Sequence, residues 1–338
     1  NSRVDGLEAR FNNFEAGAFS ETTTASFSAD TYLGAVDGGT ATTDDVVMAG
    51  YSFQIDLNTT FTGEDSLDVS IDAGNSGVAG IAEFDGNSTS DQLTLDGVSY
   101  TFPIGAKTTA FIGDNTDGSL LFNTACLYSG PSNTLDDCGN NYSAINAGGG
   151  TAFGATYDVG NGFTFAVGYT GDGTSLMTEE GDDALATQVA YTTDNYGVSL
   201  TYADKENPTF TSEVTDATVW GFNGYYAPSS DGMPSISAGF EIGDAEIPSL
   251  TPTDTDTSSW FVGLQWDEIG PGTAGVAVGT KQHTVDNSTL DDELLMYEAF
   301  YSYNINDGMT VTPLVFIKEF ASGTDDETGL MVKTSFSF

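Results

Sequence analysis

Positive charge is what this sequence has least of: seven Lys and Arg stand against fifty Asp and Glu, a formal charge of -43. So acidic a chain repels phosphate backbones, which excludes nucleic acid as a partner. Histidine occurs once, as His283, so no Cys/His metal cluster can be assembled. There is no Gly-x-Ser-x-Gly elbow, phosphate loop or dinucleotide fingerprint. No run of 18 apolar residues exists, so no helix crosses a membrane, and no basic-then-apolar secretion signal follows Asn1. Cysteine is limited to Cys126 and Cys138, in a Gly, Asn and Asp-rich stretch without histidine. A disulfide formed in an oxidising compartment is the expectation, with two free thiols as the alternative.

What is abundant is glycine and aromatic residue: 41 Gly, 22 Phe and 15 Tyr against only 9 Pro. At 39% hydrophobic and 12% aromatic the chain is too apolar for a solvated acidic tail. Its Thr, Ser, Asp and Asn content suits many strands joined by polar turns.

The apolar residues recur with a period of two. Val47, Ala49, Tyr51, Phe53, Ile55 and Leu57 share one face, and Met48, Gly50, Ser52, Gln54, Asp56 and Asn58 the other. The pattern continues through Phe163 to Tyr169, Tyr196 to Tyr202, Ile236 to Ile242, Trp260 to Trp266 and Tyr297 to Tyr303, and ends in Leu330 to Phe338. Counting weaker segments, about sixteen strands are expected. Around Asp96-Gly97 the phase breaks, which reads as a bulge or an extra hairpin.

The connections alternate long and short, which a soluble sandwich has no reason to do. Strands near ten residues with short turns at one rim and long loops at the other predict a transmembrane antiparallel β-barrel. Tyr202, Tyr226, Trp260, Trp266, Tyr303 and Phe338 lie toward strand ends, where lipid tails meet head groups. The last strand ends Ser335-Phe336-Ser337-Phe338, the usual ending of bacterial outer-membrane proteins. Before the barrel, Val4, Leu7, Phe11 and Phe14 follow a coiled-coil rhythm. Residues 1–18 are therefore expected to be helical, either the end of a coiled coil or a short cap on the barrel mouth, and 19–338 to be the barrel domain.

The Val4-Asp5-Gly6-Leu7-Glu8-Ala9-Arg10 segment, the Tyr100-Thr101-Phe102-Pro103-Ile104-Gly105 turn and the terminal Phe338, taken with the barrel, resemble the cyanobacterial S-layer-homology porins. This is the branch related to the carbohydrate-selective porin family and often called iron-uptake porins. The resemblance implies a homotrimeric, narrow diffusion pore in the outer membrane, set among its lipid and lipopolysaccharide. It further implies a tie to peptidoglycan through an N-terminal domain outside this sequence, with Asn1 falling inside the coil. No cofactor is implied.

Within such a barrel the longest connection, 113–150, takes the place of the third loop that narrows general porins, and Cys126 to Cys138 would brace it. Tyr128, Asp136, Asp137, Asn140 and Tyr142 are then candidates to line a constriction facing Lys333; the alternative is an outward lid or a trimer contact. Lys107, Lys281 and Lys333 lie on the face opposite the apolar one. Lys318 is ambiguous, because Leu314 and Phe316 compete with Val315 and Ile317 for the outside. These lysines either line the pore or sit at its rims paired with loop acids. Asp56, Asp158, Glu241 and Glu298 also face inward, and with the acidic loops they favour a weak cation preference. The function expected is passive passage of small hydrophilic solutes and inorganic ions, with no enzymatic reaction. Two other classes compete. A barrel enzyme would have to use His283 with Ser288, and an acidic calcium-binding adhesin would use loops such as Asp114 to Gly118.

Overall fold

The computed structural model describes residues 22–39, 46–77, 81–84, 86–135, 138–140, 150–178, 181–206, 216–230, 232–246, 253–280, 283–284, 293–320 and 324–338. The expected helix over 1–18 lies outside them.

Among the described residues seventeen strands form one antiparallel sheet: β1 (Thr23–Asp37), β2 (Met48–Thr59), β3 (Ser66–Gly74), β4 (Thr94–Ile104), β5 (Thr108–Asp114), β6 (Thr151–Gly160), β7 (Phe163–Gly171), β8 (Asp183–Thr192), β9 (Tyr196–Glu206), β10 (Asp216–Tyr226), β11 (Ser235–Glu246), β12 (Asp254–Ile269), β13 (Gly272–Thr280), β14 (His283–Thr284), β15 (Leu295–Asn306), β16 (Met309–Lys318) and β17 (Glu327–Ser337). The two residues of β14 pair with β12 directly beyond β13, so they prolong that stave, and the barrel has sixteen. β1 and β17 close it, in register from Ser28↔Ser337 to Asp37↔Thr328. Each strand pairs with its sequence neighbour, as an up-and-down barrel requires.

Why the chain closes rather than stacking is visible in which side chains meet water. On β9, Val198 is 59% exposed and Leu200 37%, whereas the alternating Ser199, Thr201 and Lys205 are 6%, 3% and 2% exposed. Apolar residues outside and polar residues inside invert a soluble fold, and only a hydrocarbon surrounding makes that arrangement favourable. The apolar band is bordered near the short turns by Tyr157, Phe163, Tyr196, Tyr226, Tyr303 and Phe338, all exposed. Ring pairs such as Phe163 with Tyr191 (centroids 4.5 Å apart) and Phe27 with Phe338 (5.9 Å) knit this border together.

One rim carries the short turns. At 161–162, Asn161 and Gly162 both have positive φ (55° and 87°), the geometry of a tight hairpin that Asn-Gly accommodates. The phase break in β4 is a bulge, since Ser70 faces Gly97 while Ile71 faces Leu95, which leaves Asp96 as the extra residue. On β16, Leu314, Phe316 and Lys318 are buried inside and Val315 and Ile317 face out, which settles the ambiguity there.

Candidate functional site

The third long loop connects β5 to β6, with 115–150 between the strands, so Gly113 and Asp114 belong to β5. Its described part runs along the inner wall. The Gly118 carbonyl lies against Gly168 of β7, where a Cβ would come within 1.9 Å of it. Phe122 packs on Ala184 and Ala186 of β8 and Ala203 of β9. The next stretch is extended, and its backbone amides meet the wall's polar side chains in succession. Asn123 N–H donates to Gln188 (2.7 Å), Ala125 N–H to Ser199 (2.9 Å), Leu127 N–H to Ser237 (2.9 Å) and Ser129 N–H to Gln265 (2.9 Å). Strands β8, β9, β11 and β12 thus supply acceptors where a neighbouring backbone would supply them in a sheet.

Beyond Ser129 the loop reaches β15. The Tyr128 hydroxyl donates to Glu298 at 2.6 Å, and the Ser132 hydroxyl donates to the other carboxylate oxygen. Burial, followed by the Glu298 charge, pushes the Tyr128 phenol well above its usual range, so it stays a donor. Cys126 and Cys138 are disulfide-bonded, with Cα atoms 6.4 Å apart. The bridge joins the outgoing limb to a returning one, whose Cys138 carbonyl accepts from Asn223 Nδ2 (2.9 Å) and whose Gly139 carbonyl accepts from Ser259 (3.3 Å).

Several residues read as pore lining are placed elsewhere. Tyr128, Asn140, Glu241 and Glu298 are all buried, so they lie beneath or within the loop instead of facing an open lumen. Glu241 and Glu298 point inward as strand alternation dictates, and Glu298 is covered by Tyr128 and Ser132 of the loop. Asp158 and Lys107 sit at the short-turn rim: Asp158 accepts from Gly160 N–H (2.8 Å), and Lys107 donates to the Val159 carbonyl (3.2 Å). Lys333 does face inward, at 3.2 Å from Asp30 and above the Tyr32 ring, and Lys318 is ion-paired with Glu83. Asp136, Asp137, Tyr142 and Lys281 lie outside the described residues.

The wall of β2 and β3 is different. Asp56 accepts from Gln54 (2.8 Å) and Ser70 (2.7 Å), and Asp68 from Ser66 (2.7 Å), all on the same two strands. Among the described residues no loop side chain or amide bonds to Asp56, Asp68 or Ser70. In a ring of sixteen staves β11 stands eight from β3, diametrically opposite. Asp68 on β3 and Ser237 on β11 are each the third residue from the short-turn end of their strand. Leu127, seated on Ser237 of β11, is still 37% exposed.

Alternation did not single out Gln188, Ser199, Ser237 and Gln265 as loop anchors, nor the inward Lys205. Lys205 shares the inward parity of Ser199 and Thr201 and was open to that reading; nothing in the sequence marks which inward serine will meet a loop. His283 belongs to β14, opposite Ser258 of β12. Among the described residues no group of three or more His, Cys, Asp or Glu is placed to hold a metal.

A closed sixteen-stave barrel, apolar outside and crossed internally by its third loop, has the architecture of outer-membrane porins. Solved structures of that class are similar to it. OprB of Pseudomonas putida superposes with a TM-score of 0.67 at 12% identity, over 99% of this chain and 97% of that one. An anion-selective porin from Comamonas acidovorans gives 0.65 at 14%, over 94% and 99%. A porin refined at 1.8 Å resolution gives 0.60 at 17%, over 93% and 100%. At these identities the likeness is one of fold. No protein-family profile matches the sequence, and no curated protein is detectably similar to it.

Proposed function

We propose that this chain is a passive outer-membrane diffusion channel for small hydrophilic solutes and inorganic ions, in which the third loop sets the bore. The observation that carries this reading is the third loop's run across the inner faces of β7 to β12, while Asp56, Asp68 and Ser70 of β2 and β3 bond to no loop among the described residues and the second loop reaches β2 at Ser52, which accepts from Asn87 N–H (2.7 Å). A solute passing the loop moves between the Leu127 side and the carboxylates of Asp56 and Asp68. The lysines of β16 and β17 do not offset those acids, since Lys333 is paired with Asp30 and Lys318 with Glu83. That balance favours cations weakly, and salt should screen the preference. The resemblance to S-layer-homology porins supports a homotrimer tied to peptidoglycan by a preceding domain.

Planar-bilayer recording tests this. Stepwise currents with a reversal potential favouring potassium over chloride are expected, and Asp56→Asn with Asp68→Asn should move that potential toward zero. A parent reversal potential favouring chloride would overturn the cation preference; the absence of channels would overturn the function.

A further inference from the structure

The second long loop, between β3 and β4, also enters the barrel. Its single-turn helix, Ala82–Phe84, is flanked by Ile81 and ends in Phe84. Both are fully buried in a cluster with Tyr32 and Val36 of β1, Leu314 and Phe316 of β16, and Met331 of β17. An apolar cluster inside a porin-type barrel is a patch of ordinary soluble-protein core, and here it seats this loop on β1, β16 and β17 beside Tyr128, Leu135 and Cys138 of the third loop, which belong to the same cluster.

We infer that Glu83 is a pore-size-determining residue, the clasp through which the second and third loops are held closed together against the wall. One carboxylate oxygen pairs with Lys318 of β16, and the other accepts from the Thr134 hydroxyl of the third loop at 2.8 Å. The Glu83 backbone carbonyl accepts from Asn133 N–H (2.8 Å), and the neighbouring Ala82 carbonyl from Asn133 Nδ2 (3.3 Å). Three separate parts of the chain thus meet at one residue. The side chains of Lys318 and Glu83 are only 11% and 18% exposed, and the ammonium lies 5.4 Å from the Phe316 ring. An ammonium left there without its carboxylate is poorly solvated, and the way to hydrate it is for the second loop to lift. Lifting that loop also releases Asn133 and Thr134, which widens the interior beside β15, β16 and β1. The deeper stretch 123–129 keeps its own bonds to Gln188, Ser199, Ser237 and Gln265, so the third loop stays in place. The clasp rests on the diffusion-channel reading, but its existence is measurable without any current.

Glu83→Gln is the test, combined with Ile81→Cys as a reporter; the only free thiol among the described residues is then the introduced one. With the barrel intact by its heat-modifiable migration, Glu83→Gln should let a maleimide reach residue 81 about tenfold faster, by raising the population of the lifted loop. Single-channel conductance should rise by roughly a third, with a larger solute size limit. Adding Lys318→Met should return both quantities to the parent values, because a thioether rests on Phe316 without needing a counter-charge; a mere folding defect would not be rescued. Unchanged labelling sinks the clasp. Faster labelling with unchanged conductance and size limit shows that the loops lift without setting the bore, and overturns the inference equally. A parent that forms no channel refutes the diffusion-channel reading instead, while the labelling rates still decide whether the clasp exists.

Discussion

The inner faces of β8 to β12 and of β2 to β3 are built from the same residue types, yet they are used differently. On the first, Gln188, Ser199, Ser237 and Gln265 accept backbone amides of the third loop. On the second, Gln54, Asp56, Ser66, Asp68 and Ser70 bond among themselves. Polar alternation therefore tells which side of a strand is interior. It does not tell whether an interior residue faces a solute or a loop, because that depends on where a distant segment comes to rest.

Placing a charge on each wall should break the symmetry most. Ser237→Arg puts an unpaired guanidinium under the loop and should cost the loop's docking about 3 kcal/mol or more, whereas Ser70→Arg, beside Asp56, should stay within roughly 0.5 kcal/mol of the parent. Protease cleavage within 115–135 and the melting temperature in detergent report the two outcomes; equal damage would show that the walls do not differ. Next in size is the bridge. Replacing Cys126 and Cys138 by Ser restores to the unfolded chain the freedom of a loop of about thirteen residues, near 3 kcal/mol as an upper figure on the chain-entropy model. The barrel should still assemble, while the conductance or its noise changes. Currents and a solute limit identical to the parent would remove the loop from any role in setting the bore.

The smallest effect concerns pH. In the turn from β2 to β3, Asp65 accepts from the Tyr100 hydroxyl (2.6 Å), the Phe61 and Thr62 amides (2.9 and 2.8 Å) and the Thr60 hydroxyl (2.9 Å). The Tyr100 bond above all, then the Thr62 amide, holds its carboxyl below the usual carboxylate range. A depressed folded-state pKa stabilises the turn fully above the ordinary carboxylate value, and that contribution is lost as pH falls below about 4 toward the folded value. Amide exchange in 60–65, corrected for intrinsic rates, should lose protection over that range. The amides of Asn123, Ala125 and Leu127 should not, because the Gln188, Ser199 and Ser237 side chains that accept from them do not titrate. Parallel loss in both segments would contradict the assignment.

Much of the fold was legible from residue periods. Sixteen strands, their facing, the two rims and the disulfide all follow from alternation, connection length and cysteine count, which are local properties. The bulge at Asp96 was visible as a phase break. Glu298 and Asp56 carry the same signature, an acid at an inward position, but one is an anchor for Tyr128 and Ser132 and the other faces the interior. Leu314 and Phe316 looked misplaced only because the apolar cluster they serve is completed by Ile81 and Phe84, some 230 residues earlier in the chain. Loop docking on a wall is a long-range event, and no period in the sequence records it.

The anchors of the third loop also impose an order of assembly. The loop lies between the fifth and sixth strands, but Leu127 finds its partner 110 residues later and Tyr128 finds Glu298 170 residues later. Ring closure is more remote still, because β1 must wait for β17. Contacts this distant in sequence are slow to form, since the chain's entropy is lost before they are made. A nascent chain that has reached only β7 can seat Gly118 on Gly168 but lacks the β8, β9 and later strands on which Phe122 and Tyr128 pack, so it carries these rings uncovered. Native-like burial of these two rings therefore dates the addition of the ninth to fifteenth strands, which makes their protection a natural clock for barrel maturation.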